Sequence, residues 1–208
     1  HQTEWPELKV FFNSVTDHWA TITLSGPESR SLLAPLTDID LSPTDFAFMD
    51  WRAGLVCGVP ARVFRISFTG ELTYEINVNA NDGLALWQAL MAAGAEVDLT
   101  PYGTETMHVL RAEKGFVIVG QDTDGSVTPE DLGMGWAVAK RKKFSFVGQR
   151  GMMRADCLRG QRKQFVGLSP LNPSCVLPEG SQIVFARPQS LPADMVGHVT
   201  SSYDSPVL

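Results

Sequence analysis

Little in this 208-residue sequence is basic, and no stretch of it is long and apolar. Its 17 lysines and arginines stand against 23 aspartates and glutamates, a net charge of −6. Nucleic acids and anionic membranes are bound through a positive field, so this balance argues against either as a partner. No apolar run approaches the roughly 18 residues that cross a bilayer. The opening His1-Gln2-Thr3-Glu4-Trp5-Pro6 lacks the basic and apolar regions of a secretion signal. The three cysteines, Cys57, Cys157 and Cys175, form no Cys-x-x-Cys pair. Idle thiols in a reducing compartment, the cytoplasm, are the expectation.

Several motifs of catalysis are also missing. His1, His18, His108 and His198 show no metal-ligand spacing. Gly133-Met134-Gly135 lacks the third glycine and the preceding strand of a dinucleotide loop. Asp122-Thr123-Asp124-Gly125 looks like part of a calcium loop. However, Gly120 stands at the first ligand position and Asp131 where the bidentate glutamate belongs, so the segment reads as a turn. No Ser/His/Asp or Cys/His arrangement stands out. The run Lys140-Arg141-Lys142-Lys143 reads as a solvated loop, with a polyanion such as a polyglutamate tail as the alternative.

What is present suits a folded chain: 44% hydrophobic and 19% charged residues, at a length that can bury a core. Lys9–Val15 and Trp19–Leu24 read as strands joined by Thr16-Asp17-His18, and Gly26-Pro27-Glu28 opens a helix to about Leu33. Ala61–Phe68 and Leu72–Val78 read as a hairpin through Thr69-Gly70. Asn79 or Asn81 then caps a helix carrying Leu84, Leu86, Trp87, Leu90 and Met91, with Gly94 past its end. Another helix starts near Pro101 and stops at Gly115. The fold class is α+β: antiparallel sheets with packed helices over 1–150. Short strands at Phe165–Leu168, Gln182–Ala186 and Met195–Ser201 suggest part of a small C-terminal β-barrel over 151–208.

Two charged side chains fall in unusual places. Period-two alternation with a two-residue loop sets Glu75 opposite Phe64, on a face shared with Ile66 and Phe68; a one-residue slip would invert that face. A carboxylate among aromatic rings needs hydrogen-bond donors. A flat heterocycle with adjacent N–H groups, such as a pterin or guanine, supplies them. The plainer alternative is an exposed Glu75, or one paired with Arg62 or Arg65. Arg111 lies beside the apolar stripe of its helix, where a structural ion pair, with Glu75 or Glu113 for example, competes with a ligand anion.

At these residues the chain resembles the folate-binding glycine-cleavage T-protein (aminomethyltransferase) family. The segments that carry the resemblance are Leu24-Ser25-Gly26-Pro27-Glu28-Ser29, Gly70-Glu71-Leu72-Thr73-Tyr74-Glu75 and Leu110-Arg111-Ala112-Glu113-Lys114-Gly115. Gly120-Gln121-Asp122, Phe146-Val147-Gly148-Gln149 and Gly197-His198-Val199-Thr200-Ser201 extend it through nearly the whole chain. Within the family, Thr100–Gly115, Val119–Gly125 and Thr200–Pro206 look most like the α subunits of heterotetrameric sarcosine oxidases.

The resemblance implies tetrahydrofolate as the cofactor, accepting the one-carbon unit of oxidised sarcosine to give 5,10-methylenetetrahydrofolate. Glu75 would grip the pterin, with Tyr74 and Arg111 as pocket members. It further implies FAD, FMN and NAD sites outside this segment, and partners in the rest of the α subunit and the other oxidase subunits. No catalytic residue is expected within the segment, since the family's catalytic Asp lobe has no counterpart here. Both ends read as cut from a longer chain, so the segment alone is expected to be inactive. A stand-alone aminomethyltransferase and a non-catalytic scaffold of the same fold are the alternatives.

Overall fold

A computed structural model describes residues 3–187 and 190–208. The chain divides into two compact units, His1–Gly103 and Thr104–Leu208. The boundary expected at 150/151 falls inside the second unit. There, 111–131 bonds to 162–205 through Arg162–Asp131, Thr200–Asp122 and Arg111–Tyr203.

The first unit is one antiparallel sheet, ordered β1-β4-β3-β2, with helices on one face. Its strands are β1 (Trp19–Ser25), β2 (Trp51–Val56), β3 (Val59–Phe64) and β4 (Thr73–Asn79). Alternation sends Leu24, Val56, Ala61, Val63, Tyr74, Ile76 and Val78 to a single face. They form the core with Leu32 and Leu33 of α1 (Ser29–Leu33) and Leu86 and Leu90 of α2 (Gly83–Ala93). Gly26, at φ 119°, makes the turn into α1, and its N–H and the Ser29 hydroxyl both donate to the Leu72 carbonyl. That double contact ties the Gly-Pro helix start to the head of β4.

Three expectations change here. Lys9–Val15 carries no strand; Phe11 is 92% exposed, and β1 pairs with β4 instead. The β3–β4 connection is eight residues long (65–72), yet Phe64 still faces Glu75, as the two-residue loop implied. The extra length holds together locally: the Arg65 N–H donates to Asp50, and the Ser67 hydroxyl accepts from the Gly70 N–H and the Thr73 hydroxyl. Strand β2, absent from the sequence reading, pairs with β3 across Cys57-Gly58, both at positive φ, the geometry of a tight two-residue hairpin turn.

Gly54 of β2 gives a direct test of the packing. A Cβ there would lie 2.5 Å from Asp38 Oδ1 and from Ile39 Cγ1. Gly54→Ala is expected to destabilise the first unit by about 1–3 kcal/mol, the range for overpacking. Urea unfolding with an unchanged midpoint would refute this.

The second unit contains α3 (Thr104–Glu113), two short helices, α4 (Gln149–Met152) and α5 (Ala155–Leu158), and a two-stranded pair. The pair is β5 (Gln182–Ile183) with β6 (Gly197–His198). Of the expected barrel, the described residues carry this pair alone. Phe165–Leu168 joins no ladder among the described residues, and the Phe165 N–H donates to the Asp131 carbonyl.

Candidate functional site

The sheet face turned away from α1 and α2 gathers the polar side chains of β4. Thr23 of β1 faces Glu75 of β4, which faces Phe64 of β3, which faces Trp51 of β2. These four residues therefore form a row straight across the sheet. The next row holds Thr21, Asn77, Arg62 and Ala53. Phe64 and Trp51 stack at 6.0 Å between centroids and 24° between planes, and Trp51 is 53% exposed.

Glu75 is half-buried in this row. The Thr21 hydroxyl donates to Asn77 Oδ1 at 2.6 Å, which turns the Asn77 amide N–H toward Glu75 Oε1 at 3.4 Å. Oε2 has no hydrogen bond among the described residues, and Glu75 has no ion pair among them. Neither arginine weighed as a partner reaches it. The Arg62 guanidinium lies 4.5 Å over the Trp19 ring, while Arg65 sits near Phe48 and Tyr74. A carboxylate with a free oxygen beside an aromatic pair can take a ligand that offers N–H donors in the plane of a flat ring.

Tyr74 lies on the opposite face, fully buried in the core. Its hydroxyl accepts from Arg30 Nε at 2.9 Å, and its ring packs 5.9 Å from Phe46. Strand alternation thus separates Tyr74 from Glu75, and the two do not converge on one point.

Arg111 belongs to the second unit. It is 1% exposed, and its partner is Asp122, not Glu75 or Glu113. Nη1 donates to Asp122 Oδ2 at 2.5 Å and to the Phe116 carbonyl at 3.0 Å, and Nη2 donates to the Tyr203 hydroxyl at 3.1 Å. Nε has no partner. Asp122 also accepts from the Ile118 N–H and from the hydroxyls of Thr200 and Ser201. Burial pushes the Asp122 carboxyl up, but these three donors and the Arg111 charge outweigh it and hold the pKa below the usual carboxylate value. Among the described residues Asp124 bonds within its own turn, at Ser126, and they contain no metal-binding cluster.

A second buried acid behaves alike. Asp131 accepts from Arg162 Nε and Nη2 at 2.8 and 2.6 Å and from the Thr128 N–H and hydroxyl. The Arg162 bonds, opposed by burial and aided by Thr128, hold its pKa far below the usual value. A depressed pKa stabilises the fold fully above the unfolded value, about 4, and that stability is lost as pH falls toward the folded value. Arg162→Ala is therefore expected to raise the pH of acid unfolding. Identical acid transitions by circular dichroism would disprove it.

Residues 1–142 match the model of the GCVT N-terminal domain. The chain belongs to that family. It is 51% identical to the sarcosine oxidase subunit alpha of Corynebacterium sp. strain P-1, over 100% of this chain and 22% of that subunit. The corresponding subunit of Rhizobium meliloti strain 1021 is 38% identical, over 99% of this chain and 21% of that one. An aminomethyltransferase of Streptomyces avermitilis is 35% identical, over 92% of this chain and 50% of its own length. The chain thus spans about a fifth of the oxidase subunits and half of the transferase.

For a GCVT-family chain, the reading from sequence left out Thr21, Asn77 and Trp51. Alternation along β4 alone puts Asn77 on the Glu75 face; Thr21 needed the pairing of β1 with β4, and Trp51 needed β2. The second unit has an open recess beside Trp136, lined by Glu130, Lys140, Arg141 and Lys142. There Lys140 is already paired with Glu130, and Lys142 lies over Phe146. No helix among the described residues is long and apolar enough to cross a membrane.

Proposed function

We propose that this chain is the tetrahydrofolate-binding portion of a sarcosine oxidase α subunit. The observation that carries the reading is Glu75: a half-buried carboxylate with one oxygen free among the described residues, beside an aromatic pair on the sheet face turned away from α1 and α2. The free oxygen suits the N–H edge of a pterin, so this chain's residues fit the cofactor. Similarity to sarcosine oxidase α subunits over the full chain supports the same reading.

Tetrahydrofolate, when bound, supplies the nitrogens that take up the one-carbon unit of oxidised sarcosine, with 5,10-methylenetetrahydrofolate and glycine as products. Glu75 would hold the group by accepting the pterin N–H donors. Asn77, held by Thr21, steadies the carboxylate. Tyr74 and Arg111 act through others: Tyr74 sets β4 against the core, and Arg111 braces the second unit. The whole protein is then a cytoplasmic oxidoreductase. Its FAD, FMN and NAD lie outside this segment, and its partners are the rest of the α subunit and the other subunits. This chain alone is expected to produce no peroxide from sarcosine.

Calorimetric titration of the chain with folinic acid, an oxygen-stable reduced folate, tests the proposal. Saturable binding at one site is expected; the absence of both heat and thermal protection overturns it.

A further inference from the structure

We infer that Trp51 and Phe64 are the stacking half of the same site and set the direction in which the ligand ring lies. This rests on the folate reading of Glu75 and goes beyond it, since it assigns binding to a residue on the far strand of the sheet.

Neighbouring strands are about 4.8 Å apart, so Glu75, Phe64 and Trp51 rise from β4, β3 and β2 at that interval along one line. On the other side of Glu75 the row ends in Thr23, which offers no ring face. In the adjoining row Arg62 is drawn aside over Trp19, and Ala53 is small. A flat ring whose N–H edge meets Glu75 can therefore lie along its own row, over Phe64 toward Trp51. Trp51 stacks on Phe64 and leaves about half its surface exposed, so the pair is assembled before any ligand arrives. Preorganised rings lose little freedom on binding, and offset stacking adds to the area buried. Glu75 selects for hydrogen-bond donors; Trp51 selects for a planar heterocycle.

The test uses the 208-residue chain with folinic acid, comparing wild type, Trp51→Phe and Trp51→Ala by calorimetry and thermal unfolding. Trp51→Ala is expected to weaken binding roughly fivefold to tenfold, the scale of one aromatic contact. Trp51→Phe retains most of the affinity, because it keeps a ring. The two variants melting together while only the alanine loses affinity separates stacking from a structural effect. Equal affinities in all three proteins, or a loss that only follows lowered melting temperature, overturn this inference and leave Glu75 standing. A wild-type chain that does not bind folinic acid removes the folate reading and this inference together.

Discussion

Asp122→Ala is expected to destabilise the second unit by about 3–5 kcal/mol, the range for removing one partner of a buried ion pair. Asp122 receives the Ile118 N–H, two hydroxyls and Arg111, so it joins α3, the 116–122 loop and the segment at 200–201 through one carboxylate. Its loss leaves a guanidinium that is 1% exposed with, among the described residues, only the Phe116 carbonyl and Tyr203 as hydrogen-bond acceptors. Asp122→Asn should be nearly as damaging, because an amide cannot accept at both positions and would turn donors toward Arg111 or the hydroxyls. Arg111→Met should cost less. It removes a charge whose Nε is already unsatisfied, while Asp122 keeps three donors. Urea unfolding ranks the three, and a methionine variant less stable than the alanine one would contradict this account of the cluster.

The second large effect is on binding. Glu75→Ala is expected to reduce affinity for folinic acid by about 100-fold or more, the equivalent of two charge-assisted hydrogen bonds. Fold stability should stay within about 0.5 kcal/mol, since among the described residues the side chain has a single long hydrogen bond and no ion pair. Glu75→Gln separates charge from shape. One amide oxygen still accepts, but the NH2 faces a ligand donor, so most of the loss should persist. Calorimetry on variants of unchanged melting temperature measures this. Retained affinity in either variant would remove Glu75 from the site.

Local signals were the legible part of the fold. Gly26-Pro27 marks a helix start, Gly94 a helix end, and alternation on both strands sets Phe64 opposite Glu75. The non-local partners were hidden. Phe11 and Phe12 have strand character, but which strand β1 joins is decided by β4, some fifty residues later. Strand β2 had a readable turn in Cys57-Gly58, yet Arg52 and Gly54 interrupt its apolar pattern because Gly54 must pass close to Asp38 and Ile39. For Arg111, spacing along its own helix could not name Asp122. The pairing exists because the chain reverses after Gly115, at φ 77°, and carries 116–122 back beneath the helix. The facing of Glu75 and Phe64 was legible because both lie in the hairpin itself.

Tyr74 and Glu75 adjoin in the chain yet answer to different demands, one inside the core and one on the open face. A library randomised at both positions would show this as two independent filters. Sorting for folded protein alone should retain an aromatic at 74 and let 75 drift freely. Sorting the survivors for folate capture should then recover glutamate at 75 without further narrowing 74.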